Sequence, residues 1–99
     1  MKRNIGMHIS AQEAKNNILR GLKGGLGTSK SGLAYFAYPG YNFRSPQGAA
    51  FSVAKLARQM ENEGLLRHHS RYAFDEYSGY EMRLTPAGEA QAQLLEGTS

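Results

Sequence analysis

The run Leu56-Ala57-Arg58-Gln59-Met60-Glu61-Asn62-Glu63-Gly64-Leu65-Leu66-Arg67 joins two periodicities. Up to Glu63 the apolar residues recur every three or four positions; beyond Leu65 they alternate. A helix therefore stops at Gly64, a residue suited to the left-handed backbone just past a helix end, and a strand starts almost at once. Upstream, Ser45-Pro46 offers a cap followed by proline at the first helical position, where the missing N–H is no loss and φ is already set. The predicted helix covers 46–63. Ala49, Val53, Leu56, Ala57 and Met60 share one face, and Phe51, Lys55, Arg58 and Asn62 gather on the opposite one.

Downstream, Leu66, His68, Ser70, Tyr72 and Phe74 alternate with Arg67, His69, Arg71 and Ala73. Asp75-Glu76-Tyr77-Ser78-Gly79 is turn-like, and Tyr80, Met82 and Leu84 alternate on the way back, which predicts a β-hairpin. Thr85-Pro86 repeats the cap-then-proline signal, placing a last helix at 86–95 with Ala87, Ala90, Leu94 and Leu95 as its apolar residues. Toward the N-terminus, Ser10-Ala11-Gln12-Glu13 reads as a capping box, with Ile9 placed to staple onto Ala14. The helix it opens runs over 11–23 through Ala14, Ile18 and Leu22, and Gly24-Gly25 ends it. Residues 24–32 are loop by composition, Leu33 to Tyr38 reads as a short aromatic strand stopped by Pro39-Gly40, and Tyr41-Asn42-Phe43-Arg44 as an irregular connection.

The expected fold is α+β, in the order helix, strand, long helix, β-hairpin, helix. It forms a single small domain over 10–96, with a flexible basic arm at 1–9 and a tail at 97–99. The expected core is Ala14, Ile18, Leu22, Phe36, Val53, Leu56, Met60, Leu66, Tyr72, Met82 and Leu84. Ninety-nine residues suffice for one core and not for two.

Charge narrows the partner. Residues 1–30 carry six Lys or Arg (Lys2, Arg3, Lys15, Arg20, Lys23, Lys30) against Glu13 alone, a balance of +5. Residues 31–64 balance at +1 and residues 65–99 at −2, within a net +4. A positive field over the first two-thirds suits a polyanion, because neutralised phosphates release their counterions. Without cysteine there is neither a disulfide framework nor a thiolate metal site. Met1 to Ile9 lacks the apolar run of a signal peptide, and no stretch approaches the ~20 apolar residues of a membrane helix, so the expected location is the cytoplasm.

The helix ending in Glu61-Asn62-Glu63-Gly64-Leu65-Leu66, the hairpin after it and the closing Leu84-Thr85-Pro86-Ala87-Gly88 resemble the winged helix-turn-helix superfamily over residues 46–90. The resemblance implies that 46–63 is a recognition helix, the hairpin a wing, and double-stranded DNA the partner, bound as a monomer or as a homodimer over paired half-sites. It departs in one place. The family puts a short helix before the recognition helix, whereas Pro39 to Ser45 is too short and too aromatic for one, so a degenerate turn is expected there.

On this resemblance Gln47, Gly48, Phe51, Ser52 and Lys55, with Arg58 further along, face the major groove. Gln47 has the two-pronged amide that pairs with adenine, Ser52 serves either base class, and Phe51 suits a thymine methyl. Lys55 and Arg58 would hold phosphates, as would Arg67, His69, Arg71 and Arg83 of the wing and Lys2 and Arg3 of the arm. The alternative is a protein-interaction module of the adaptor or inhibitor kind found in phages and mobile elements, which would engage a host protein through Tyr35, Tyr38, Tyr41, Phe43 and Phe51.

Three chemistries do not fit. Gly24-Gly25-Leu26-Gly27-Thr28-Ser29-Lys30-Ser31 lacks both the Gly-Lys pair and the preceding strand of a phosphate loop. His68 and His69 point to opposite faces of a strand, and neither they nor His8 have a completing ligand. No nucleophile-and-base or paired-carboxylate set gathers on one element, so no enzyme activity and no cofactor are expected.

Overall fold

The computed structural model describes residues 9–70 and 80–97. Its helices all begin with the same device, a hydroxyl that accepts from the backbone amide three residues on. Ser10 accepts from Glu13 at 3.1 Å, Ser29 from Gly32 at 3.1 Å, Ser45 from Gly48 at 3.0 Å and Thr85 from Gly88 at 3.0 Å. Each bond satisfies a donor that the helix itself cannot, at about 1 kcal/mol apiece. They open α1 (Ala11–Leu22), α2 (Lys30–Ala37), α3 (Pro46–Asn62) and α4 (Pro86–Gly97).

Three strands, β1 (Gly27–Thr28), β2 (Leu66–Ser70) and β3 (Tyr80–Leu84), make an antiparallel sheet in the order β1-β3-β2. Leu66 pairs with Leu84 and Ser70 with Tyr80, so the two long strands align in the register their alternation requires. Gly27 pairs with Arg83 and Thr28 with Met82 on the other edge of β3. The chain thus runs α1-β1-α2-α3-β2-β3-α4, a small α+β domain. Among the described residues no helix is long and apolar enough to cross a membrane.

The expected strand at 33–38 is instead α2. Its apolar residues explain why: Leu33, Ala34 and Ala37 lie on one helical face and are buried against α1 and α3, which an alternating strand would have split between two faces. Asn17 of α1 donates to the Ala37 carbonyl at 3.1 Å, holding the C-terminal end of α2. An ordinary helix therefore precedes α3 in place of the expected degenerate turn, and the linker between them opens with a turn in which the Tyr41 amide donates to the Tyr38 carbonyl at 3.2 Å and Gly40 has φ +86°. Residues 24–32, read as loop, contain β1, which exists because β3 offers it a free edge.

Ala14, Ile18, Leu22, Val53, Leu56, Met60, Leu66, Met82 and Leu84 are buried as expected, joined by Leu19, Leu33 and Leu65. Phe36 is not in the core: it is 37% exposed, its ring lying over Gly21 of α1, where a Cβ would collide with it. Tyr72, Phe74 and the turn at 75–79 fall outside the described residues.

The face of α4 also differs from the expected one. Ala87, Ala90 and Leu94 are exposed, Leu94 at 63%, while Gly88 and Ala92 are buried and Leu95 is half-buried. The helix is rotated by a close backbone approach, since a Cβ at Gly88 would run into the Leu65 carbonyl oxygen. Thr85 completes the junction: its amide donates to Leu65 O at 3.1 Å and its hydroxyl to Gly64 O. Gly88→Ala is therefore expected to lower the melting temperature. Overpacking against a backbone atom that cannot rotate away costs roughly 1–3 kcal/mol or more, above the ~1 kcal/mol of helix propensity that alanine adds. Thermal unfolding followed by circular dichroism checks this, and an unchanged or raised midpoint would refute the close-approach account.

Candidate functional site

At about 100° per residue, Gln47, Phe51, Lys55 and Arg58 fall within about 80° of the α3 circumference, opposite the buried stripe of Ala49, Val53, Leu56, Ala57 and Met60. All four are exposed, Phe51 at 84%. The buried stripe packs against α2, β2 and α1, which sets the helix rotation and leaves this face outward. Gly48 is exposed beside Gln47, its amide already bonded to the Ser45 hydroxyl. Ser52 is half-buried, and its hydroxyl donates to the Ala49 carbonyl at 2.7 Å, so its one proton is committed to the helix.

The electrostatics of this region are one-sided. Residues 14–60 contain seven Lys or Arg and no Asp or Glu. Lys30, Arg44, Lys55, Arg58 and Arg67 are exposed and form no ion pair among the described residues. Apart from Glu13, each described carboxylate is engaged by a group other than the exposed cations of α3. Glu96 holds Lys23 at 2.9 Å, and Glu89 accepts from the amides of Gly24 and Gly25 at 3.0 and 2.9 Å. Those two glycines have φ of +92° and +85°, which turns their amides toward α4. Glu61 sits on His68 Nδ1 at 2.5 Å, fastening the end of α3 to β2.

Glu63 receives the Lys15 ammonium at 3.0 Å and the Gln59 amide at 3.3 Å. These two hydrogen bonds, the Lys15 one first, hold its carboxyl below the ordinary value. The group's folded-state value is depressed, so whatever stability the contact contributes is present above the unfolded value and lost as pH falls through the folded one. The site is exposed enough that salt screens it.

Of the expected DNA contacts, Gln47, Phe51, Lys55 and Arg58 share the α3 face, and Arg67 is exposed at the start of β2. Arg83 is its register partner on β3, but the Arg83 guanidinium is held by Glu81 at 3.0 Å, so its charge is compensated. Lys2, Arg3 and Arg71 lie outside the described residues, and nothing of the His69 side chain is described. Lys30 and Arg44 belong to the unpaired cations and were not singled out from the sequence. The signal that identifies them is the absence of any acid between Glu13 and Glu61.

The aromatic residues of the alternative reading form a second constellation. Phe43 is its hub, with Tyr41 at 4.6 Å, Tyr35 at 5.1 Å and Tyr38 at 6.5 Å between ring centroids, all edge-on. Tyr38 and Phe43 rest on the core, while Tyr35 is 49% exposed. Most of this cluster fastens the 38–44 linker over α2, and Phe51 takes part in none of its ring pairs. Comparison of the chain with protein-family models, curated proteins and solved structures finds no match in any of the three.

Proposed function

We propose that this chain binds double-stranded DNA through α3 on a winged-helix scaffold, as a small transcriptional regulator or accessory DNA-binding protein in the cytoplasm, with no catalytic step of its own. The observation that carries this reading is the α3 face of Gln47, Phe51, Lys55 and Arg58, set in 47 consecutive residues without a carboxylate. The element order and the sheet order β1-β3-β2 support it, and so does α2, a helix packed against α3 that would brace α3 on a duplex. A helix fits the ~12 Å major groove, where Gln47 would read adenine while Lys55 and Arg58, further along the same face, hold phosphates. Lys30, Arg44 and Arg67 extend the phosphate contacts beyond α3, and Lys2, Arg3 and Arg71 are proposed to add to them. Two copies over paired half-sites are the proposed arrangement on a palindromic site.

Titration of a labelled random duplex tests the reading. With the eight phosphate contacts proposed here, affinity should fall on the order of 10⁴-fold between ~50 and ~200 mM salt. No binding at the lower concentration would overturn it.

The ring cluster favours the second reading, a module that docks on a host protein of a phage or mobile element. Tyr35 offers exposed aromatic area of the kind enriched at protein interfaces. On that reading Phe51→Ala or Tyr41→Ala would abolish partner capture while Lys55→Ala would be tolerated, with little dependence on salt.

A further inference from the structure

We infer that the α3 face reads the 5-methyl groups of pyrimidines in the major groove, making thymine-rich or 5-methylcytosine-bearing duplex its preferred ligand. The inference rests on the DNA-binding reading above and deepens it. It starts from what the face lacks. A helix that reads bases by hydrogen bonding needs free donors and acceptors over its first two turns. Here those turns expose Gln47 and Gly48, then Phe51, with Ala50 and Ala54 half-exposed beside it. The remaining polar candidate, Ser52, spends its proton on the Ala49 carbonyl 2.7 Å away, and the Gly48 amide is spent on Ser45.

The centre of the face is thus an apolar ring, 84% exposed, one helical turn from Gln47 on one side and from Lys55 on the other. The cation holds the helix on the backbone and the amide fixes an adenine. Between them the ring meets base edges, whose apolar feature in the major groove is the pyrimidine 5-methyl. Charge complementarity selects duplex DNA over an apolar protein groove as the occupant, because the same face carries Lys55 and Arg58 unpaired and no acid lies between residues 14 and 60.

The test measures fluorescence anisotropy of the full chain at ~50 mM salt with matched duplexes differing only in methyl groups: a thymine-rich duplex, the same duplex with deoxyuridine at each thymine, and a cytosine-rich duplex with or without 5-methylcytosine. Loss of the methyl should weaken binding roughly 4-fold if one group is contacted and on the order of 10-fold if two are. Addition of the methyl to cytosine should strengthen it similarly. Phe51→Ala should bind the two members of each matched pair with the same affinity and keep its salt dependence. Equal affinity of the native chain for the thymine and deoxyuridine duplexes, or discrimination that survives Phe51→Ala, overturns the methyl inference while leaving DNA binding intact. No binding to any of the four overturns DNA binding itself and the inference with it.

Discussion

Reversing the charge of Lys55 and Arg58 together is expected to weaken duplex binding by at least about 100-fold at ~100 mM salt, since each charge-assisted contact is worth roughly 1.5–3 kcal/mol and tenfold in affinity is about 1.4 kcal/mol. The salt slope should fall by about 2, one unit for each phosphate no longer neutralised. Both side chains are exposed and pair with no carboxylate among the described residues, so the double variant should keep its circular dichroism and melting temperature. Arg83→Ala provides the contrast. Its guanidinium is already held by Glu81, and its removal should change affinity far less than Arg67→Ala on the facing strand position. Anisotropy titrations over a salt series measure both effects. A double reversal that binds like the native chain would remove α3 from the interface.

Leu33→Ala should be among the most destabilising single changes in the domain. Leu33 is fully buried where α2 packs on α1 and α3, and truncating such a leucine costs about 2–5 kcal/mol through lost transfer energy and the cavity left behind. A domain of this size holds on the order of 5–15 kcal/mol in all, so the variant should unfold at a much lower urea concentration or not fold at 37 °C. Phe36→Ala should cost less in spite of the larger side chain, because the Phe36 ring is 37% exposed and lies over Gly21 outside the core. If 33–38 were a strand with Phe36 inward, the order of the two effects would reverse. Paired urea titrations therefore decide between the helix and the strand at this segment by energetics alone.

Several parts of the molecule were determined by the sequence itself, and each is a local matter. Ser10, Ser45-Pro46 and Thr85-Pro86 open helices because a hydroxyl and the amides it caps lie within three residues of one another. Gly64 ends α3 because its φ of +79° suits glycine, and the alternation of 66–70 and 80–84 imposes the β2–β3 register. The composition of the exposed face of α3 was legible for the same reason, since helical periodicity alone separates Phe51, Lys55 and Arg58 from Val53, Leu56 and Met60.

Tertiary structure decided the rest. Leu33 to Tyr38 is rich in residues that favour strands, and burial of Leu33, Ala34 and Ala37 between α1 and α3, behind the Ser29 cap, makes it a helix. The two residues of β1 carry no periodicity and are a strand only because β3 has an edge to fill. The rotation of α4 follows from Gly88 meeting the Leu65 carbonyl, a contact 23 positions away in the chain. Which cations remain unpaired was likewise beyond the sequence: Lys15 and Lys23 find Glu63 and Glu96 through the packing of distant elements, while Arg20, Lys30, Arg44, Lys55, Arg58 and Arg67 are exposed without an ion pair among the described residues. Periodicity and capping act within a few residues, whereas edges, close approaches and ion pairs depend on what the folded chain brings alongside.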